Sequence, residues 1–160
     1  MNPAKPAHYL DVYRDLFTRH TIGFVLELGI HKGDSLRFWR SLGATRVVGI
    51  DSSLAVLEGE FAGIEVIEGN ATDADLLARF APDLAVDDAS HLWSDQRASF
   101  EALWPRTGLY VIEDLDTSYH PDWASGENTM DWLIREVHAL HQQKGRFGSM
   151  TFHPGMVVLT

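Results

Sequence analysis

The sequence predicts an α/β fold in which helices wind over both faces of a mostly parallel sheet of about seven strands. Short apolar runs alternate with amphipathic stretches along the 160 residues, which favours strands joined by helices and therefore a parallel sheet. The last two apolar runs flank His153, Pro154 and Gly155, a hairpin signal that predicts a C-terminal antiparallel pair. No internal repeat and no long Pro/Gly/Ser linker divides the chain, so we expect a single domain over residues 1–160.

The first half of the chain alternates helices with strands that end in turn residues. Leu10, Tyr13 and Phe17 recur at helical spacing and predict the first helix. Glycines follow the first strand and the second helix, at positions where a chain commonly turns. The predicted helices are residues 8–19, 35–42, 53–58 and 72–80, and the predicted strands are residues 24–28, 46–50 and 64–67.

The second half continues this alternation and then closes on the hairpin. A polar, aromatic segment at residues 117–126 is too long for a tight turn and precedes a strongly amphipathic helix. The predicted strands are residues 84–86, 109–112, 147–152 and 156–159, and the predicted helices are residues 94–104 and 129–142. Because strands that alternate with helices run parallel, the first five strands should end at one edge of the sheet.

Composition and charge limit the kinds of molecule that this protein is expected to bind. The net charge is −10 and no run of Lys or Arg occurs, so we expect a small-molecule substrate and no nucleic acid partner. The chain has no cysteine, which excludes disulfides and thiolate metal sites. No apolar run approaches the roughly 18 residues that cross a bilayer, and residues 1–10 lack the apolar core of a signal peptide. We therefore expect a cytoplasmic protein that does not bind membranes.

Glycines and acids follow the first three strands, where ligands bind in open α/β sheets. The first strand runs into a loop with Gly29 and Gly33, which lets the backbone turn sharply and approach a ligand. The second strand is followed by Asp51, an acid in position to accept both hydroxyls of a ribose. Alternatively, the glycines are ordinary turn residues and Asp51 caps a helix. The third glycine of the dinucleotide-binding pattern is absent, which disfavours a dehydrogenase.

These motifs resemble the cofactor half of the class I S-adenosylmethionine-dependent methyltransferases, which have a Rossmann-like fold. The resemblance rests on E-x-G-x-x-x-G-x-S at residues 27–35, a strand followed by Asp51, and a G-N-x-x-D turn at residues 69–73. It implies S-adenosylmethionine as the cofactor. By resemblance, the residues that contact its methionine, ribose and adenine parts are Glu27, Gly29, Gly33, Ser35, Asp51, and Asn70 or Asp73.

A second group of acids follows the fourth and fifth strands. The chain reads Asp87-Asp88-Ala-Ser-His91 after the fourth strand and Glu113-Asp114 after the fifth. Carboxylates at one edge repel each other unless a cation or a proton intervenes, and oxygen ligands without cysteine favour Mg²⁺. A bound ion lowers the pKa of a substrate hydroxyl, and a nearby histidine takes its proton. Alternatively, these acids are solvated helix caps.

The pattern D-D-x-S-H followed by Y-V-I-E-D resembles the metal-dependent O-methyltransferases that modify sugars of macrolides and related natural products. This resemblance implies that Asp88, Glu113 and Asp114 bind Mg²⁺ and that His91 is the general base. It also implies methyl transfer to a sugar or polyol hydroxyl of a small molecule. The chain departs from the family at Ala89, where a glycine is usual, and lacks the N-terminal extension of the macrolide enzymes.

Two other functions stay open at this point. A hydroxylase-associated family of related sequence has the same metal acids, and a cofactor-binding module without activity would use them for a structural ion. The segment at residues 117–126 is expected to cover the acceptor, and the predicted acceptor contacts are Trp93, Tyr119 and Trp123. Alternatively, a tryptophan of this segment packs as core. The closing hairpin leaves room for a homodimer.

Overall fold

The computed structural model describes residues 4–160 and contains one seven-stranded sheet. The strand order is β3-β2-β1-β4-β5-β7-β6, with β1 to β5 parallel and β7 antiparallel to both β5 and β6. The strands are β1 (Phe24–Leu28), β2 (Arg46–Asp51), β3 (Glu65–Glu68), β4 (Leu84–Asp87), β5 (Leu109–Ile112), β6 (Met150–His153) and β7 (Met156–Leu159). The predicted sheet and its closing antiparallel hairpin are confirmed.

Helices cover both faces of the sheet, as the alternation of apolar residues along the strands requires. Val25 faces the first and second helices, whereas Leu26 faces the other three, since successive strand residues point to opposite sides. The helices are α1 (Ala7–Arg19), α2 (Asp34–Ser41), α3 (Ala74–Leu77), α4 (Trp93–Leu103) and α5 (Thr129–His141). Over residues 4–160, none of them has the length and apolar character that a bilayer span needs.

The helix predicted at residues 53–58 is wrong, and that segment forms turns. A backbone hydrogen bond from Leu57 to Leu54 closes one turn, and Gly59 then takes a left-handed conformation that ends it. The helix predicted at residues 72–80 shortens to α3. Its last residues close in tighter turns, and Pro82 follows shortly after them. Apolar spacing alone does not reveal either interruption.

Gly155 joins the final hairpin to α1. Its φ is +75°, and its carbonyl oxygen accepts hydrogen bonds from the Tyr9 hydroxyl at 2.9 Å and from the backbone N–H of Leu115 at 2.8 Å. A methyl group at this position would overlap the Tyr9 hydroxyl. The hairpin turn therefore requires glycine both for its conformation and for this close approach.

We expect Gly155→Ala to lower the free energy of unfolding by about 1–3 kcal/mol, through the left-handed conformation and the overlap with Tyr9. Urea denaturation followed by circular dichroism measures this loss. Gly148→Ala is the matched control, because a methyl group added at Gly148 would lie 3.5 Å from its nearest neighbour, the carbonyl oxygen of Thr160. That distance is an ordinary van der Waals contact. Equal unfolding midpoints for the two variants would contradict the role given to Gly155.

Candidate active site

A cavity of about 830 Å³ opens at the carboxyl ends of the first four strands. Its volume lies in the range of small-molecule sites. Among the residues predicted for cofactor, metal or catalysis, six line it: Gly29, Ser35, Asp51, Asn70, Asp88 and His91. Predicted cofactor contacts and two of the residues predicted for metal binding and catalysis, Asp88 and His91, therefore line the same cavity.

Asp51 fixes the loop that follows β1. Its Oδ2 accepts backbone hydrogen bonds from Ile30 at 2.8 Å and His31 at 3.0 Å, and its Oδ1 accepts one from Ser53 at 3.1 Å. An ionised carboxylate has about four acceptor positions, and these three contacts leave about one of them free. The side chain can therefore hold the loop and still accept one hydroxyl group of a ligand.

Gly29 lies against the loop that follows β4. Its φ is +80°, and a methyl group on it would overlap the carbonyl oxygen of Asp88. The loops after β1 and β4 are therefore in backbone contact at this point. Gly33 directly precedes α2 and packs against the ring of Phe61, outside the cavity lining.

Asn70 and Asp73, which the sequence left as alternatives, have different surroundings. The Asn70 side chain lines the cavity, and its Oδ1 accepts hydrogen bonds from the backbone and hydroxyl of Thr72, both at 2.9 Å. Its amide nitrogen is thus left to face a ligand. Asp73 caps α3 by accepting from the backbone N–H groups of Asp75 and Leu76. This capping accounts for Asp73 without any ligand.

Asp88, His91 and Asp114 form a cluster that fits a cation. One ligand atom from each residue lies within 4.8 Å of the other two, and all three side chains are half-buried. His91 Nε2 is 3.6 Å from Asp114 Oδ2. Both His91 and Asp114 have positive φ, at 58° and 54°. Such strained backbone is common at functional sites, and the two carboxylates suit a hard divalent ion.

Glu113 belongs to a second, more buried group around Lys5, which we call the lysine cluster: Lys5, Glu27, Asp88 and Glu113. Lys5 Nζ lies 2.6 Å from Asp88 Oδ2 and donates to both oxygens of Glu113, at 2.8 and 2.9 Å. It also lies 3.2 Å from Glu27, whose other oxygen accepts from the indole N–H of Trp39. Asp88 is thus shared between the cation-fitting cluster and the lysine cluster.

Burial dominates the electrostatics of both clusters. It raises the pKa of Glu113, against the opposing effect of Lys5. Burial and then repulsion from Asp88 raise the pKa of Asp114. Burial alone would lower the pKa of Lys5, but Glu27 and the other carboxylates around it outweigh this effect and raise it. Lys5 therefore carries a full positive charge among crowded carboxylates.

The sequence did not identify Lys5, Tyr9 and Tyr13 as neighbours of this site. These three residues follow one another at intervals of four positions, and their polar ends reach Glu113 and Asp114 after β5. The Tyr13 hydroxyl donates to Glu113, and the Tyr9 hydroxyl lies 3.2 Å from Asp114 Oδ1. The available signal was the use of tyrosine at buried helix positions, where an entirely apolar residue would pack equally well.

The three predicted acceptor contacts lie around the segment after β5. Trp123 stands edge-on to His91, with ring centroids 5.7 Å apart. The Trp93 indole donates to the carbonyl oxygen of Thr117 at 3.2 Å and so ties this segment to α4. Tyr119 is 73% exposed. Only Trp123 of the three is in ring contact with His91.

Several known proteins that are similar in sequence are O-methyltransferases. The chain is 37% identical over 130 residues to mycinamicin VI 2''-O-methyltransferase of Micromonospora griseorubida, covering 71% of this chain and 32% of that protein. It is 36% identical over 149 residues to 8-demethyl-8-(2-methoxy-alpha-L-rhamnosyl)-tetracenomycin-C 3'-O-methyltransferase of Streptomyces olivaceus, covering 79% and 38%. The chain thus spans about a third of the length of these curated relatives. No protein-family model matches it.

Solved methyltransferase structures share the fold. The MycE methyltransferase from the mycinamycin biosynthetic pathway, in complex with Mg and SAH, superimposes with a TM-score of 0.78 at 27% identity. The match covers 95% of this chain and 47% of that chain. The O-methyltransferase from Bacillus cereus in complex with SAH has a TM-score of 0.67 at 18% identity, covering 99% and 84%, and shows the fold alone.

Proposed function

We propose that this chain methylates a hydroxyl group of a small molecule. The premise is that it has the class I methyltransferase fold and is homologous to bacterial sugar O-methyltransferases. The proposed methyl donor is S-adenosylmethionine, the proposed metal is Mg²⁺, and the proposed acceptor is a sugar or polyol. The observation that carries the proposal is the single cavity that runs from Asp51 to Asp88 and His91. Asp51, which we propose binds ribose, thus shares one space with Asp88 and His91 of the cation-fitting cluster.

The cofactor end of the cavity is proposed to be built by three features. Asp51 would accept a ribose hydroxyl with the one acceptor position that its loop contacts leave free. The Asn70 amide would contact the adenine. The loop at Gly29 would bring its backbone against the methionine part, because no side chain stands in the way.

At the other end of the cavity, the acids and His91 would act on the acceptor. S-adenosylmethionine would supply a methyl group on a sulfonium, and a divalent ion held by Asp88, Glu113 and Asp114 would lower the pKa of the acceptor hydroxyl. The acceptor oxygen would bond to the methyl carbon as the carbon–sulfur bond breaks, and His91 would take the hydroxyl proton.

The test of this function combines binding with turnover. We expect micromolar binding of S-adenosylhomocysteine in calorimetry, and Mg²⁺-dependent formation of S-adenosylhomocysteine from S-adenosylmethionine when glycosylated natural products or polyols are supplied as acceptors. Mass spectrometry should find the acceptor heavier by one methylene unit. Absence of cofactor binding with and without Mg²⁺ overturns the methyltransferase proposal. Binding without product across a broad acceptor panel favours a module without activity.

Asn70→Ala and Asp73→Ala should separate ligand contact from helix capping. We expect Asn70→Ala to weaken S-adenosylhomocysteine binding by about fivefold, since one hydrogen bond to the ligand is worth about 1 kcal/mol. We expect Asp73→Ala to lower the free energy of unfolding by about 1 kcal/mol through loss of the α3 cap, with cofactor affinity unchanged. Calorimetry and urea denaturation measure the two effects, and the reverse pattern would exchange the two roles.

A further inference from the structure

The Lys5 ammonium lies among the same carboxylates that the proposed metal would need. It bonds to Asp88 and to both oxygens of Glu113, two of the three proposed ligands. The Lys5 side chain is only 6% exposed, so water screens little of its charge. A divalent ion bound to Asp88 and Glu113 would therefore stand against a buried positive charge and compete for the same oxygen atoms.

Lys5 is attached to the fold by its side chain. Among the described residues, the backbone groups of Ala4 and Lys5 make no backbone hydrogen bond, and α1 begins only at Ala7, after Pro6. Both Ala4 and Lys5 line the cavity. Release of the ammonium would thus free this segment from the cavity wall without breaking backbone structure.

We propose that Lys5 is an internal cation that holds the acids in the absence of a divalent ion, and that ion binding displaces it and releases residues 4–5 from the cavity wall. This inference rests on the proposed metal site. The exchange conserves the pairing of buried carboxylates, because one cation replaces another at Asp88 and Glu113. It also couples ion binding to the opening of the cavity on the Lys5 side.

The exchange predicts that removing the Lys5 charge strengthens ion binding. We expect Lys5→Met to bind Mn²⁺ on the order of tenfold or more tightly than the wild type, since no competing charge has to be displaced. Electron paramagnetic resonance titration of free Mn²⁺ measures the affinity directly. Lys144→Met is the matched control, because it removes the same charge from an exposed position outside the cavity lining and should leave the affinity unchanged.

Backbone NMR relaxation of the wild type tests the release without any substitution. We expect saturating Mg²⁺ to lower the ¹H–¹⁵N heteronuclear NOE at residues 4–5, because the released segment moves freely, and to leave α1 from Leu10 onward unaffected. This measurement also keeps the proposal testable if Lys5→Met fails to fold, which S-adenosylhomocysteine binding by the variant would reveal.

The possible results separate this inference from the proposed function. Equal or weaker Mn²⁺ binding by a folded Lys5→Met, or no change of the heteronuclear NOE at residues 4–5 in the ion-bound wild type, overturns the displacement of Lys5 and leaves the metal site standing. Absence of ion binding by both proteins overturns the metal requirement itself. Tighter binding by Lys5→Met together with a lower heteronuclear NOE at residues 4–5 of the ion-bound wild type supports the proposal.

Discussion

His91→Ala is expected to lower kcat for methyl transfer by about 10²–10⁴-fold, the usual contribution of a general base, while S-adenosylhomocysteine still binds. The acceptor hydroxyl has to lose its proton as the methyl group arrives, and His91 lines the cavity beside Asp88. Asp51 and the loop after β1 remain unchanged in this variant. Steady-state kinetics and calorimetry on the same preparation check both parts of the prediction.

Two further substitutions separate the chemistry of His91 from its backbone conformation. Asn tolerates positive φ better than Ala, so His91→Asn keeps the loop conformation and removes the base. We expect it to lose as much turnover as His91→Ala. His138→Ala removes an exposed histidine of α5 and should keep wild-type turnover. Recovery of activity in His91→Asn would mean that loop geometry, and not proton transfer, is the contribution of His91.

Asp51→Ala is expected to weaken S-adenosylhomocysteine binding by about 10–10²-fold. One hydrogen bond from ribose to a charged acceptor is worth about 1.5–3 kcal/mol. The variant also frees the backbone N–H groups of Ile30 and His31, which Asp51 Oδ2 holds in place. Ligand affinity and loop order are therefore lost together. Calorimetric titration with S-adenosylhomocysteine measures the change.

Asp83 offers a matched control for Asp51. Its Oδ2 also accepts two consecutive backbone N–H groups, those of Gly23 at 2.9 Å and Phe24 at 2.8 Å, but at the start of β1. We expect Asp83→Ala to reduce stability and to leave cofactor affinity unchanged. If both variants lose affinity equally, the effect of Asp51 comes from destabilised backbone, and its proposed role toward ribose is contradicted.

The sheet was predictable because its strands are short apolar runs, most of which are followed by Gly or Asp. Five parallel strands and a closing hairpin leave few arrangements, and the observed order is one of them. Residues 53–58 contain the same apolar residue types, yet Gly59 and the Asp51 cap turn the chain there. Local hydrogen bonds determine the conformation of residues 53–58, and the spacing of apolar residues does not reveal such bonds.

The candidate site was predictable where a residue follows a strand, because parallel strands end together. Asp51, Asp88 and His91 meet in the cavity for this reason. Lys5 lies outside any strand, and its contacts join residues 83 and 108 positions apart in the chain. Contacts at such separations leave no local pattern. The domain range 1–160, the cytoplasmic location and a homodimer stay predictions.

The contact between Gly29 and the Asp88 carbonyl has a consequence for protein engineering. Because any larger residue at position 29 would push two backbone segments apart, the spacing between the cofactor end and the acid end of the cavity is set by main chain alone. Combinatorial libraries that seek new acceptors should therefore keep Gly29 and residues 88–89 constant. Diversity belongs in residues 117–126, where Tyr119 is exposed and Trp123 reaches His91.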